Sequence, residues 1–382
     1  MEEKNGIIQK KSIPGGLIAF VKKETVLCAA GILAAASMFL VPPDMEYLNY
    51  PDYRVLALLF GLMLVIAGLQ SIGLFRCLGL RLLGRTGNTM QLGFLLVALC
   101  FFGSMLITND VALITFVPFA VMTLTMAGER RLLIPIVVLQ TVAANLGSML
   151  TPVGNPQNLY LYTAFELSIG TFLGYMLPLA FLSLLLLAAA LLLLGRKPLS
   201  VQTSEKAESP DRRKLTAYVL LFLVCLSCVL RLLSWPVMLA ILVLTVLIVD
   251  RKLFGAVDYF LLLTFVCFFL FIGNVERIPA VSSLMKELIV GRELPAGAAL
   301  SQVISNVPAA ILLSGFTENV RPLLYGVNIG GLGTLIASLA SVISYRLYGS
   351  SEGAGKGAYL KTFTLYNVIF LAVLYAAALL IL

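Results

Sequence analysis

The chain has 382 residues, of which 60% are hydrophobic and only 12% charged, with a net charge of +8. A soluble domain carries about twice that share of charge, so most of these residues cannot face water and the chain reads as a single all-α polytopic membrane protein. Histidine is absent, which excludes Ser-His and Cys-His nucleophile pairs and His-ligated zinc.

Taken in order, residues 25–42 and 54–70 are apolar and long enough to cross a bilayer. A basic amphipathic stretch, 71–86, carries Arg76, Arg81 and Arg85. Residues 89–125 are apolar but interrupted at Thr108-Asn109-Asp110, and residues 131–165 are interrupted between Thr151 and Pro156. An uninterrupted run, 168–194, leads into a polar cytoplasmic linker, 195–214. Three more runs follow at 215–233, 235–250 and 258–274, then a second amphipathic stretch at 275–291. Residues 294–316 break at Ser305-Asn306, residues 321–348 break between Asn328 and Ser338, and 358–382 is the last span. The six cysteines (Cys28, Cys77, Cys100, Cys225, Cys228 and Cys267) lie in these apolar segments and read as small buried hydrophobes.

The interrupted segments decide the topology. If 89–125 and 294–316 are re-entrant helical hairpins, the chain crosses nine times. Of the 27 Lys and Arg residues, 21 then share the side of the N-terminus and 6 lie opposite. That asymmetry places the N-terminus in the cytoplasm and the C-terminus outside. Residues 89–107 and 110–127 could instead be two full spans, which leaves the count unchanged. For 294–316 that alternative fails, because 23 residues are too few for two spans of about 20. The basic residues sit in short loops, as orientation signals do, so the partners expected are a lipid bilayer and a small ion, with no nucleic acid.

The chain also resembles itself. Thr108-Asn109-Asp110-Val111 and Ser305-Asn306-Val307-Pro308 sit mid-way in the two interrupted hairpins, and NLGSMLTPVGNPQN from Asn145 aligns without gaps on NIGGLGTLIASLAS from Asn328. Five crossings separate the span at 54–70 from its counterpart at 258–274, and an odd number inverts the second copy. The expected organisation is therefore a first inverted repeat over 1–194, the linker 195–214, and a second inverted repeat over 215–382. Secondary transporters are commonly built this way, with sites near the midplane where broken helices meet.

Irregular backbone at membrane depth survives only where protein or a wet cavity satisfies it. The four breaks supply Thr108, Asn109, Asp110, Asn155, Ser305, Asn306, Thr334 and Ser338 as candidate substrate ligands. Amide and hydroxyl oxygens suit hard cations, and freed amides at half-helix N-termini suit anions. Asp110 is the one acidic residue expected deep within an apolar segment, where a carboxylate costs about 2.5–3.5 kcal/mol and is a functional candidate by default. It can serve as cation ligand or proton carrier, or simply cap the second limb of its hairpin.

On the tips TND and SNV, and on TPVGNPQN with its weaker copy TLIASLAS, the chain resembles the ion transporter superfamily of divalent-anion and citrate symporters, arsenite permeases and sodium/proton antiporters. The resemblance implies a scaffold domain and a mobile transport domain, a homodimer, and an elevator-type motion. It also implies cation coupling through Asn109 with Gly154 at the first hairpin and Asn306 with Ala337 at the second, with Asp110, Asn145 and Asn328 nearby. The pattern departs from that of sodium-coupled dicarboxylate carriers, whose tips read Ser-Asn-Thr. Here the first tip ends in Asp110 and the second in Val307, and the second broken helix lacks both prolines. The expected function is secondary active transport of a small anion, a carboxylate such as citrate or an inorganic oxyanion, across the cytoplasmic membrane. No metal site and no resident cofactor is expected, with sodium or a proton as the coupling ion. Arsenite or antimonite efflux, or sodium/proton antiport, is the alternative. With no nucleophile motif and no paired intramembrane acids, an enzyme is not expected.

Overall fold

The computed structural model describes residues 20–21, 24–83, 86–198, 209–351 and 353–382. The first 19 residues, Arg85 of the first amphipathic stretch and residues 199–208 of the expected linker lie outside the described residues. Among the described residues the chain is helical, with a lone bridge between Asn88 and Pro198 in place of any strand.

Helices α1 (Thr25–Leu40) and α2 (Tyr53–Ser71) come first, α2 being started by Asp52, whose Oδ1 accepts the Val55 N–H at 2.9 Å. The short α3 (Leu74–Leu83) follows. Next, α4 (Thr89–Ile107) and α5 (Asn109–Met126) are joined through Thr108 alone. They fold back on each other: Gln140 Nε2 donates to Leu96 O in α4 and Phe116 O in α5, both at 3.2 Å. After a non-α stretch at 149–155, α6 (Leu133–Ser148) is followed by α7 (Pro156–Ala164) and then the long α8 (Ile169–Leu192). Proline at the first position of α7 has no N–H to lose, so it starts that helix and cannot continue the previous one.

The remaining helices are α9 (Arg212–Val229), α10 (Trp235–Val249), α11 (Tyr259–Glu276), α12 (Pro279–Ile289), α13 (Glu293–Ile304) and α14 (Asn306–Ser314). Then come α15 (Val320–Ile329), α16 (Leu339–Gly349) and α17 (Lys356–Ile381). A single residue, Ser305, joins α13 to α14, and the stretch 330–338 separates α15 from α16.

Seven helices among the described residues are long and apolar enough to cross a membrane: α2, α4, α5, α6 with its lead-in turn, α8, α11 and α17. Large apolar side chains such as Phe39, Leu193, Ile248 and Leu380 stand exposed on the outer helices, as lipid-facing positions do. The chain is a multi-pass membrane protein.

Two groups of helices pack together. In one, α1 lies on α11, and α9 and α10 lie on α2. In the other, α4, α5 and α6 pack with one another, α13 with α14 and α15, and α16 and α17 close against α5 and α6. The groups touch where α2 meets α7 and α11 meets α14. A polar clip ties the first group: Arg277, just beyond α11, donates to Asp44 Oδ2 at 2.7 Å and to the Tyr50 hydroxyl at 2.9 Å. The Arg277 guanidinium holds the Asp44 carboxyl below its ordinary range, so the clip is intact at neutral pH and is lost as pH falls through that lowered value.

The centre of the second group is α6, where every residue from Ile136 to Met149 is buried. Close approach there depends on glycine. A Cβ on Gly147 would stand 2.0 Å from Phe101 O and 2.7 Å from Ser104 Oγ of α4. Gly147→Ala is expected to lower stability by about 1–3 kcal/mol, as overpacking does. Gly31→Ala in α1, with nothing within 4 Å, is expected to leave it unchanged. Thermal unfolding in detergent, comparing both variants with the parent, checks this.

Candidate functional site

The two single-residue joints share one conformation. Thr108 has φ 69° and ψ 153°, and Ser305 has φ 76° and ψ 156°. This region of backbone space is almost confined to glycine and costs an ordinary residue about 1–3 kcal/mol. Such strain persists only where surrounding contacts over-determine it.

Those contacts lie in the helix breaks. The Asn109 N–H donates to Gly154 O at 3.2 Å. Ser305 Oγ donates to Ala337 O at 3.4 Å. Thr151 Oγ1 donates to Met105 O, and Thr334 Oγ1 donates to Gln302 O. The shift of 197 positions from Thr108 to Ser305 also carries Met105 onto Gln302 and Ser104 onto Ser301. The shift of 183 positions from Asn145 to Asn328 carries Gly147 onto Gly330, Thr151 onto Thr334, Gly154 onto Ala337 and Asn155 onto Ser338. Under these two shifts the bond from Thr151 to Met105 O becomes that from Thr334 to Gln302 O, and each joint meets the residue matched to the other's, Gly154 or Ala337, though through a different donor. A Cβ on Gly147 would meet Ser104 Oγ, and one on Gly330 would meet Ser301 Oγ at 2.8 Å.

The halves also exchange contacts across the centre. Ser338 Oγ donates to Asn145 Oδ1 at 2.9 Å, and its counterpart Asn155 donates through Nδ2 to Asn328 Oδ1 at 3.3 Å. Asn109 Nδ2 donates to the same Asn145 Oδ1 at 3.1 Å. Asn145 Nδ2 reaches Gly331 O at 3.5 Å. A Cβ on Gly331 would stand 2.8 Å from Asn306 Nδ2. One cluster therefore gathers Asn109, Asn145, Asn155, Asn306, Asn328 and Ser338, with Gly154 and Ala337 at its edge, and all eight are buried.

Thr334 is different. It is exposed, and it bonds to Gln302 rather than to the central cluster. Thr108 contributes its backbone turn and caps nothing with its hydroxyl. Asp110 lies in the first turn of α5, two residues past the joint and not at the capping position. Its N–H donates to Asn109 Oδ1 at 3.0 Å, and its carboxylate Oδ1 is buried without a hydrogen-bond partner.

Electrostatics at the breaks come from helix ends. The N-terminus of α7 is capped by Asn155 Oδ1, which accepts the Asn158 N–H at 2.9 Å. Those of α5, α14 and α16 begin at Thr108, Ser305 and Ser338 with no side-chain cap. Three N-termini without a capping side chain thus border the cluster and carry partial positive charge, although at α5 the first two N–H groups are already taken, by Gly154 O and by Asn109 Oδ1. No lysine or arginine occurs between Arg85 and Arg130, between Arg131 and Arg196, or between Arg292 and Arg321. No group of three or more Cys, Asp and Glu side chains suited to a metal ion is found among the described residues.

Two cavities of about 420 Å³ flank α2 at opposite ends. One is lined by Gln70, Arg76 and Thr115, the other by Asp52, Tyr160 and Glu276. Neither reaches the joints. Three buried or half-buried amides were not singled out by the sequence reading: Gln140, which bonds both limbs of the first hairpin, and Asn158 and Gln302, which bond the freed backbone of the breaks. The signal that could have found the two glutamines is the one that found Asp110, a lone polar side chain in an apolar run.

Comparison with known proteins decides the family. A family described as citrate transporter matches residues 16–322. The chain belongs to the citrate transporter family. This family member is similar to a transporter of Methanocaldococcus jannaschii, 33% identical over 82% of this chain and 86% of the relative. It is also similar to the inner membrane protein YbiR of Escherichia coli, 32% identical over 78% and 80%. A silicon efflux transporter of Oryza sativa is 34% identical over 39% of this chain and 31% of its own length. As a member of a transporter family, the protein is a membrane transporter and not an enzyme.

The strained joint makes its own prediction. Thr108→Gly removes the strain at a residue whose hydroxyl caps nothing, and after the entropic cost of glycine a net gain of roughly 1 kcal/mol is expected. Thr108→Val keeps the strain and is expected to stay within about 0.5 kcal/mol of the parent. Unfolding midpoints of the two variants in detergent test both values.

Proposed function

We propose that this citrate transporter family member is a secondary active transporter of a small anion, coupled to a proton or sodium ion that meets Asp110. The observation that carries the reading is the set of three uncapped helix N-termini, of α5, α14 and α16, around one buried amide cluster. With no basic side chain in α5 or α14, and with Arg346 of α16 in the last turn of its helix, N–H groups at the helix starts and asparagine amides are the means of holding negative charge. Asp110 supplies the opposite requirement. A buried carboxylate oxygen with no partner calls for a proton or a cation, and binding one beside the anion site offsets the charge of the cargo. Carboxylates such as citrate fit a site with several separated donors, as do inorganic oxyanions. The rice relative is named a silicon efflux transporter, and efflux of an inorganic cargo such as arsenite or antimonite is the second reading.

The same contacts support an inverted repeat. Two constant shifts relate the bonds of the halves, and the limbs α13 and α14, of 12 and 9 residues, are about 18 and 14 Å long, too short for a hydrocarbon core of about 30 Å. We read the second hairpin as re-entrant on its length and the first, whose limbs α4 and α5 are long enough to cross, as re-entrant by the repeat alone, with nine crossings and a cytoplasmic N-terminus, in the cytoplasmic membrane where the Escherichia coli relative is named. The helix group around α2 and α11 is the scaffold in this reading, and the group holding the joints moves against it as an elevator within a homodimer. The cavities at the two ends of α2 lie along that boundary.

Asp110→Asn tests the coupling role. In proteoliposomes loaded with a panel of carboxylates and oxyanions, the parent is expected to move at least one of them in response to a pH or sodium gradient. Asp110→Asn is expected to lose at least tenfold of the gradient-driven flux while keeping the unfolding midpoint. Flux with unchanged gradient dependence in the variant removes Asp110 from the role.

A further inference from the structure

Where a helix stops inside a membrane protein, its last carbonyls lose their amide partners and carry partial negative charge. The half-helices α6 and α15 end this way. In broken helices of transporters, such carbonyls are natural ligands for a coupling cation. Here each set is already engaged by one side-chain amide. Asn158 Nδ2 donates to Ser148 O at 3.4 Å, Met149 O at 3.0 Å and Thr151 O at 3.3 Å. Gln302 Nε2 donates to Gly330 O at 2.8 Å and Leu332 O at 2.9 Å, as well as to Ala298 O of its own helix at 3.1 Å. Its Oε1 accepts the Thr334 N–H at 2.9 Å, so one side chain spans the second break.

The two amides arrive from different places. Asn158 comes from α7, the helix after its break, and Gln302 from α13, the first limb of the hairpin. Neither has a counterpart under the shifts that relate the halves: Gln302 answers to Met105, and Asn158 answers to Ser341. A contact inherited with the repeat would sit at matched positions. The same need, met twice by unmatched residues, points to a requirement of the breaks themselves.

We propose that Asn158 and Gln302 are tethered substitutes for bound cations. Their N–H groups supply the positive charge that the ends of α6 and α15 require, so both breaks hold their shape with no metal ion on those carbonyls. This rests on the transport reading only for its consequence, that the coupling charge falls on Asp110 rather than on the half-helix C-termini. The first half then has no advantage over the second as a cation site, although only it keeps the two prolines.

Amide hydrogen exchange, read by mass spectrometry on the purified full-length protein in detergent, tests the proposal. Sodium, potassium and N-methylglucamine chlorides are compared at equal ionic strength. Residues 149–155 and 330–338 are expected to exchange within twofold in all three salts. Gln302→Ala is expected to speed exchange in 330–338 at least tenfold and leave 149–155 unchanged, and Asn158→Ala to do the reverse. Gln302→Glu turns the donor into a carboxylate facing carbonyls, so its unfolding midpoint is expected to rise with sodium while that of the parent does not. Sodium-specific protection of either break in the parent overturns the proposal without any variant, as does unchanged exchange in Gln302→Ala. Absence of anion flux from every liposome assay would instead remove the transport reading, and would leave this exchange pattern standing.

Discussion

A backbone that leaves the helix inside a membrane must find its hydrogen bonds within the protein, because lipid offers none. Every feature of the central cluster follows from that constraint. The two breaks release carbonyls at the ends of α6 and α15 and amides at the starts of α7 and α16. The hairpin joints release amides at the starts of α5 and α14. The protein settles these groups unevenly. Carbonyls are taken by Asn158, Gln302, Thr151 and Thr334 or by the joints themselves. Three sets of amides are left without side-chain caps. The imbalance underlies the proposed anion site: the negative ends are filled from within, whereas the positive ends are filled only in part, at α5 by Gly154 O and Asn109 Oδ1.

Strain and symmetry serve the same end. Thr108 and Ser305 hold a backbone conformation that non-glycine residues avoid, and each is kept there by bonds from its own helix break. The bonds that cross between halves, Ser338 to Asn145 and Asn155 to Asn328, tie one break to the other. The two breaks are therefore coupled through a few short amide and hydroxyl contacts. Low local dielectric strengthens such contacts and makes the loss of any one costly.

The order and rough extent of the elements were legible in the residues. The joints at Thr108 and Ser305, the break before Pro156 and the amphipathic segments appear where polar residues, prolines and glycines interrupt apolar runs. The asparagines were legible too, since Asn109, Asn145, Asn306 and Asn328 stand out in segments of Leu, Ile and Val. Thr334, expected as a ligand with the others, does not join the cluster. It stands 183 positions from Thr151, as Asn328 does from Asn145, but lies exposed and bonded to Gln302, a placement that composition does not mark. Gln302 was not singled out, and Asn158 entered only as the last residue of the TPVGNPQN stretch, not as a ligand of its own. Each acts through backbone carbonyls, and a bond to a carbonyl leaves no signature in the identity of the residue that carries it.

Composition and pattern by themselves determined that this is a helical membrane protein with interrupted helices, because 382 residues with 12% charge cannot be solvated and because proline, glycine and clustered amides cannot sit in an unbroken span. Only the tertiary structure decided which freed groups meet. Asn145 lies 193 positions from Ser338 and Asn155 lies 173 from Asn328, and no local rule connects residues so far apart. Pairing at that range is set by how the helices pack, and in this protein that packing determines which helix ends are capped by a side chain and which are not.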